Sequence, residues 1–181
     1  SKISWTRSIR NSLKGNKEGK FDDGIVVDTM YRPFTKQMLY NSAMFNDLTT
    51  IQSKGFPTPD HDNLVICVSG VGVTKEFSCI ITDHIPDLEL IGKSQCFPLY
   101  WYKKNNNTER NLFSEVQDQY TRHDAITDWV LRQFRDRFHS GRQIDKELIF
   151  YYVYGLLHSE DYRTRFSADM KKSLPRIPIV D

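Results

Sequence analysis

The residue order predicts an α+β fold, an N-terminal basic helix and mixed β-sheet region followed by a C-terminal helical region. Short apolar runs bounded by turn residues, Ile25–Tyr31, Leu64–Ser69, Phe77–Thr82 and Cys96–Tyr102, crowd the N-terminal part. From Ala125 the apolar spacing changes to that of a helix. Strands and helices do not alternate along the chain as a doubly wound sheet requires. We expect one domain over residues 1–181, with a β-rich lobe over 1–120 and a helical lobe over 121–181.

Ser4 can cap a first helix in which Trp5, Ile9 and Leu13 recur every fourth residue, with Arg7, Arg10 and Lys14 on the other face and Gly15 as its end. A polar loop with Lys17 and Lys20 leads to the Ile25–Tyr31 strand, which Pro33 stops. FPTPDHD is a loop, and GVGVTK joins the next two strands as a hairpin connection. After the Cys96–Tyr102 strand, KKNNNTERN has no apolar member and reads as an exposed loop. Ile126, Trp129, Val130, Phe134 and Phe138 form a helical stripe, and Gly141 breaks it. Ile144–Leu157 is apolar almost all round, the pattern of a buried helix. Ser159 can cap a last helix through Tyr162, Phe166 and Met170, ended by Pro175.

Composition excludes several classes. With 39% hydrophobic, 27% charged and 13% aromatic residues the chain is globular rather than disordered. No run approaches the roughly 20 apolar residues of a membrane span. The N-terminus lacks the apolar core of a signal peptide and has no initiator Met, so we expect a fragment of a larger cytoplasmic polypeptide. Cys67, Cys79 and Cys96 are odd in number and never reach C-x-x-C spacing, which argues for free buried thiols over disulfides or zinc. The net charge of +2 announces no partner by itself.

GVGVTK lacks the G-x-x-x-x-G-K-[ST] spacing and leads into a strand, so no helix N-terminus follows to hold phosphate. Asp83, His84, Asp87, Glu89 and Lys93 alternate with apolar residues as on a solvated surface, and Glu89 and Lys93 lack E-x-K spacing. His61 with Asp60 and Asp62, and His158 with Glu160 and Asp161, fit loop and capping roles. With no nucleophile motif and no methyl-donor or metal motif, we expect no catalytic residue, bound metal or cofactor in this chain.

Two regions offer DNA chemistry. Arg7, Arg10, Lys14, Lys17 and Lys20, with Lys103 and Lys104, are candidate phosphate ligands. Asn105, Asn106, Asn107 and Arg110 are candidates for base readout, because an amide pairs a donor and an acceptor against adenine.

Four local sequences occur in order: Tyr31-Arg32-Pro33-Phe34, Phe97-Pro98-Leu99-Tyr100-Trp101-Tyr102, the run from Tyr151 to Phe166, and Pro175-Arg176-Ile177-Pro178. From about Trp5 onward the chain thereby resembles the C-terminal specificity domain of type ISP restriction-modification enzymes and related fused helicase-methyltransferase restriction proteins. The resemblance implies a bacterial target-recognition domain that grips double-stranded DNA opposite the methyltransferase domain of the same polypeptide. N6-adenine methylation and ATP-dependent cleavage would be done by other domains, with S-adenosylmethionine, ATP and Mg bound there. A structural docking domain that contacts mainly the methyltransferase is the alternative. The shared motifs are expected to be structural: Tyr151, Tyr152, Tyr154 and Leu157 in a buried helix, Arg32 as a buried charged anchor, and PRIP closing the last helix.

Overall fold

A computed structural model describes residues 6–21, 25–42, 44–46, 50–105, 119–138 and 143–180. Helix α1 (Arg7–Lys14) starts later than the sequence suggests: Thr6 caps it by accepting from the Ile9 amide at 3.3 Å, while Ser4 and Trp5 lie outside the described residues. The helix fully buries none of its side chains: Ile9 is half-buried and Leu13 is 72% exposed, so its apolar stripe is only partly covered by the described residues.

Strand β1 (Val26–Arg32) ends at Pro33 as expected, but the chain turns at once into β2 (Thr35–Tyr40), its antiparallel partner. Sequence reading missed β2 because it is a sheet edge, exposed over Thr35–Met38, and so lacks a core-facing apolar alternation. Helix α2 (Thr50–Gly55) follows, and then the central strand β3 (Val65–Val68). On either side of β3 lie β4 (Cys79–Thr82) and β6 (Gln95–Pro98), both antiparallel to it. Between them in sequence, β5 (Ile85–Pro86) runs parallel to β1 and links the two sheets. Strands β7 (Tyr100–Lys104) and β8 (Tyr120–Asp124) form a separate antiparallel ribbon.

β3 explains the layering, because it is buried on both faces and its period-2 geometry sends neighbours opposite ways. Ile66 and Val68 point to a core shared with Cys79, Leu99 and the helical residues Phe150, Leu157, Tyr162 and Met170. Val65 and Cys67 join Phe56, Ile85 and Leu90 in a second core that holds the β1–β2 sheet and α2. Each fully buried aliphatic side chain contributes about 1.5–3 kcal/mol. A continuous apolar run is what such a doubly covered strand needs.

The GVGVTK segment is a hairpin connection, as expected: the β3–β4 ladder is extended by Ser69 N–H donating to Ser78 O at 2.9 Å. Gly70 is fixed by close approach, because a Cβ there would stand 2.2 Å from the Lys93 carbonyl oxygen. The three cysteines are free, with Cys67 and Cys96 facing each other across β3 and β6 at 3.7 Å. The contact with Cys96, and then burial, raise the Cys67 thiol, and burial pushes Cys79 up to about 11, so both stay protonated.

Helix α3 (Asp128–Arg137) is capped by Thr127 and buries Phe134. Trp129, placed on the core stripe by spacing, is instead 62% exposed, and Val130, Leu131 and Phe138 pack against the third core of Phe134, Ile144 and Ile149. Helix α4 (Lys146–His158), capped by Asp145, buries Ile149, Phe150 and Leu157. It is not covered all round: Leu148 is 47% and Tyr151 43% exposed, which corrects the expectation of a fully buried helix containing Tyr151.

Ser159 caps α5 (Glu160–Arg165) as expected, but Phe166 (φ −109°) interrupts the helix and α6 (Ser167–Met170) ends before Pro175. PRIP therefore closes no helix. It runs back across the helices, where the Tyr162 hydroxyl donates to Arg176 O at 2.7 Å and the Tyr152 hydroxyl donates to Pro178 O at 2.7 Å. The same Tyr152 oxygen accepts from the Val180 amide at 3.0 Å. Tyr152 and Tyr162 of the YYVYGLLHSEDYRTRF run are thus strapped to PRIP, which accounts for these two motifs occurring together.

Candidate nucleic-acid interface

The β7–β8 ribbon pairs Tyr100 with Asp124, Trp101 with His123, Tyr102 with Arg122, Lys103 with Thr121 and Lys104 with Tyr120. Alternation puts Tyr100, Tyr102, Lys104, Tyr120, Arg122 and Asp124 on one face, and Trp101, Lys103, Thr121 and His123 on the other.

The first face is fastened to the body. Tyr102 is buried, and its hydroxyl donates to Asp62 O at 2.8 Å. The His61 ring stands edge-on to Tyr102 at 4.6 Å and to Tyr120 at 5.3 Å, and its Nδ1 lies 2.6 Å from Thr58 Oγ1. Arg122 lies over the Tyr100 ring at 4.4 Å. At the ribbon base, buried Asn63 donates through Nδ2 to Gly55 O at 2.9 Å and Tyr100 O at 2.8 Å. Its Oδ1 accepts from the Leu64 amide at 2.9 Å and the Tyr100 amide at 3.0 Å.

The second face carries a flat stack of Trp101 on His123, 4.2 Å apart and 15° from parallel, with Trp101 36% exposed. His123 Nε2 is buried without a hydrogen-bond partner among the described residues. Toward the free end, Thr121 Oγ1 donates to Asn105 Oδ1 at 2.7 Å, and the Asn105 amide donates to Gln119 O at 2.8 Å, closing the ribbon one pair beyond Lys104.

Lys103 and Lys104 are thus strand residues, not members of a loop as the polar run suggested, because they pair with Thr121 and Tyr120. Both are exposed and leave the ribbon on opposite faces. Asn105 is partly committed to holding the ribbon end together. Asn106, Asn107 and Arg110 lie outside the described residues. Arg7, Arg10, Lys14, Lys17 and Lys20 are all exposed, on α1 and the segment after it. The structure therefore divides the candidates between two elements.

The acidic cluster is occupied by local structure. Asp87 pairs with Arg32 at 3.0 Å and accepts from the Glu89 amide at 2.8 Å; Asp83 pairs with His84. Among the described residues no three His, Cys, Asp or Glu side chains form a metal-holding group. Arg32 is not the buried anchor expected of it: its side chain is 40% exposed, lying over the Tyr31 ring and reaching Asp87. Sequence reading missed the whole of β8, because YTRHD has no apolar alternation. The unpaired polar groups of a strand as exposed as β7 were the available clue.

Burial holds the His61 pKa below its ordinary value of 6.5, against a weaker opposing pull from Asp60. A base whose folded pKa is depressed binds fewer protons folded than unfolded, so its stabilising share is present above pH 6.5 and is lost as pH falls through the folded value. His158, lowered by burial and then by Arg163, acts with the same sign. Melting temperature should fall on acidification from about pH 7 to pH 5, and His61→Phe should flatten that dependence. Parallel curves for both proteins would show that the His61 pKa does not differ between the folded and unfolded states.

A family model described as the Type ISP C-terminal specificity domain matches residues 1–181. No curated protein matches the chain. Among solved structures, the chain is similar to the DrdV–DNA complex at 30% identity and a TM-score of 0.85, covering 99% of this chain and 16% of that one. It is similar to the ATP-dependent Type ISP restriction-modification enzyme LlaBIII bound to DNA at 32% identity and a TM-score of 0.83, covering 99% and 11%. A nuclease-deletion mutant of the Type ISP enzyme LlaGI in complex with a DNA substrate mimic matches at 31% identity and a TM-score of 0.73, covering 96% and 14%. The chain thus spans less than a fifth of each of these proteins. No helix among the described residues is long and apolar enough to cross a membrane. From its α+β fold, its ordered motifs and these matches, the chain belongs to the Type ISP C-terminal specificity domain family.

Proposed function

We propose that this domain recognises a DNA sequence for a larger bacterial restriction-modification polypeptide, and that N6-adenine methylation and ATP-dependent cleavage are carried out by other domains. The carrying observation is that nearly the whole chain superposes on part of enzymes whose structures hold DNA. The ribbon supports it, since it presents Lys103, Lys104 and Asn105 at its free end on a rigidly held base. S-adenosylmethionine, ATP and Mg would serve those other domains, in the cytoplasm, and this chain would contribute no catalytic group of its own.

A second contact is favoured by a separate feature. The α3–α4 surface holds a largely apolar groove of about 420 Å³ lined by Phe138, Ile144, Leu148, Tyr151 and Tyr152 among others. Such a face suits docking against the methyltransferase part of the same polypeptide. Grafting this chain in place of the specificity domain of a Type ISP enzyme, followed by methylation-site sequencing, separates the two roles. The methylated sequence should change. An active chimera that still methylates the host enzyme's original site would leave docking as the domain's main role.

A further inference from the structure

Phe34 sits alone at the tip of the β1–β2 hairpin and is 93% exposed, more than any other large apolar side chain described. Its φ of +63° lies in the left-handed region, where a bulky L-residue is a genuine outlier. A glycine or asparagine would occupy that turn position more cheaply. Nothing in the described chain compensates for either the strain or the exposure.

The hairpin that carries it is stiff. Pro33 fixes the preceding φ, and β1 and β2 pair from Val26 with Tyr40 to Arg32 with Thr35, with a bulge beside the turn. Arg32 is clamped between the Tyr31 ring at 4.0 Å and Asp87 at 3.0 Å, and the Asp87 amide donates to Met30 O at 3.0 Å. The turn therefore projects one aromatic ring from a two-residue corner. Its flanks are polar: Thr35, Lys36 and Gln37 follow, all exposed. A lone apolar side chain on a narrow projection, with a cation two residues on, suits insertion between stacked bases, where phosphates lie close to the entry point.

We propose that Phe34 is a wedge that enters a base step of the bound duplex, unstacking it and fixing the register in which the ribbon meets its bases. This rests on the DNA-recognition reading above. It also gives the Tyr-Arg-Pro-Phe motif a role: Pro33 and the clamped Arg32 aim the ring that follows them.

The test uses the full polypeptide that carries this domain and duplexes bearing its methylation site, with 2-aminopurine placed at one position at a time. Wild type should brighten the probe several-fold at a step other than the methylated adenine. Phe34→Gly, which accepts the same turn without strain, should abolish that brightening and weaken binding about tenfold, while Phe34→Leu should keep much of both. If wild type binds the site but no position responds in a Phe34-dependent way, the wedge is wrong and the DNA-recognition reading stands. If wild type shows no preference for the site, both fail. A lower melting temperature of the DNA-free polypeptide on Phe34→Gly, without any change in probe signal, would assign Phe34 to a protein contact and overturn the wedge.

Discussion

Asn63→Ala should lower the unfolding free energy by about 3–4 kcal/mol, although it removes only a small polar side chain. Asn63 is 5% exposed and makes four hydrogen bonds, two donated and two accepted. They tie the end of α2, the approach to β3 and the first residue of β7 to one carboxamide. Truncation strands the Tyr100 amide and carbonyl, the Leu64 amide and the Gly55 carbonyl, and each buried group left unpaired costs about 1–3 kcal/mol before water recovers part of it. For a chain of this length the change corresponds to roughly 10 °C in melting temperature. Asn63→Asp should also destabilise, because its oxygens would face two carbonyls that now receive donors. Calorimetry on the three proteins checks both, and a shift of less than about 1 kcal/mol for Asn63→Ala would show that water replaces the carboxamide.

The same residue shows where the sequence is silent. Nothing around Asn63 marks it, since two of its four hydrogen bonds go to Tyr100, which lies 37 residues away in the chain. What was legible had a local cause. The doubly buried β3 is an uninterrupted apolar run, Ser159 is a cap, and Pro33 stops a strand. What was misread depended on neighbours. β2 and β8 are held by backbone pairing and show no regular apolar alternation, so periodicity could not find them. Trp129 and Tyr151 lie on apolar helix faces that the other described residues leave exposed, and a spacing rule has no means of telling that from a core. The DNA-contact candidates were legible as chemistry but not as architecture: composition singled out Lys103 to Asn105, whereas the ribbon pairing that presents them, and the Trp101–His123 stack beside them, needed the fold.

The largest functional effect is expected from the free end of the ribbon, and it should differ in kind from that of α1. Arg7, Arg10 and Lys14 are exposed on one helix and offer positive charge without a paired donor and acceptor, which suits phosphate. Replacing any one of them by alanine should weaken binding of the full polypeptide similarly at all sequences and lower the salt slope by about one. Lys103→Ala and Lys104→Ala should behave likewise, since both leave the ribbon as exposed cations. Asn106, Asn107 and Arg110 follow in sequence from the ribbon end, and their side chains can each make a two-point contact with a base edge worth about 1–3 kcal/mol of discrimination. Substituting them should therefore change which sequences are methylated by about tenfold or more per position, with a smaller effect on total affinity. Asn105 should show a mixed effect, because its carboxamide oxygen also receives the Thr121 hydroxyl and holds the ribbon closed. Methylation-site sequencing beside salt-dependent binding reads both quantities on the same variants. Variants of Asn106, Asn107 and Arg110 that keep the wild-type site, set against α1 variants that move it, would reverse the assignment and make α1 the reading element.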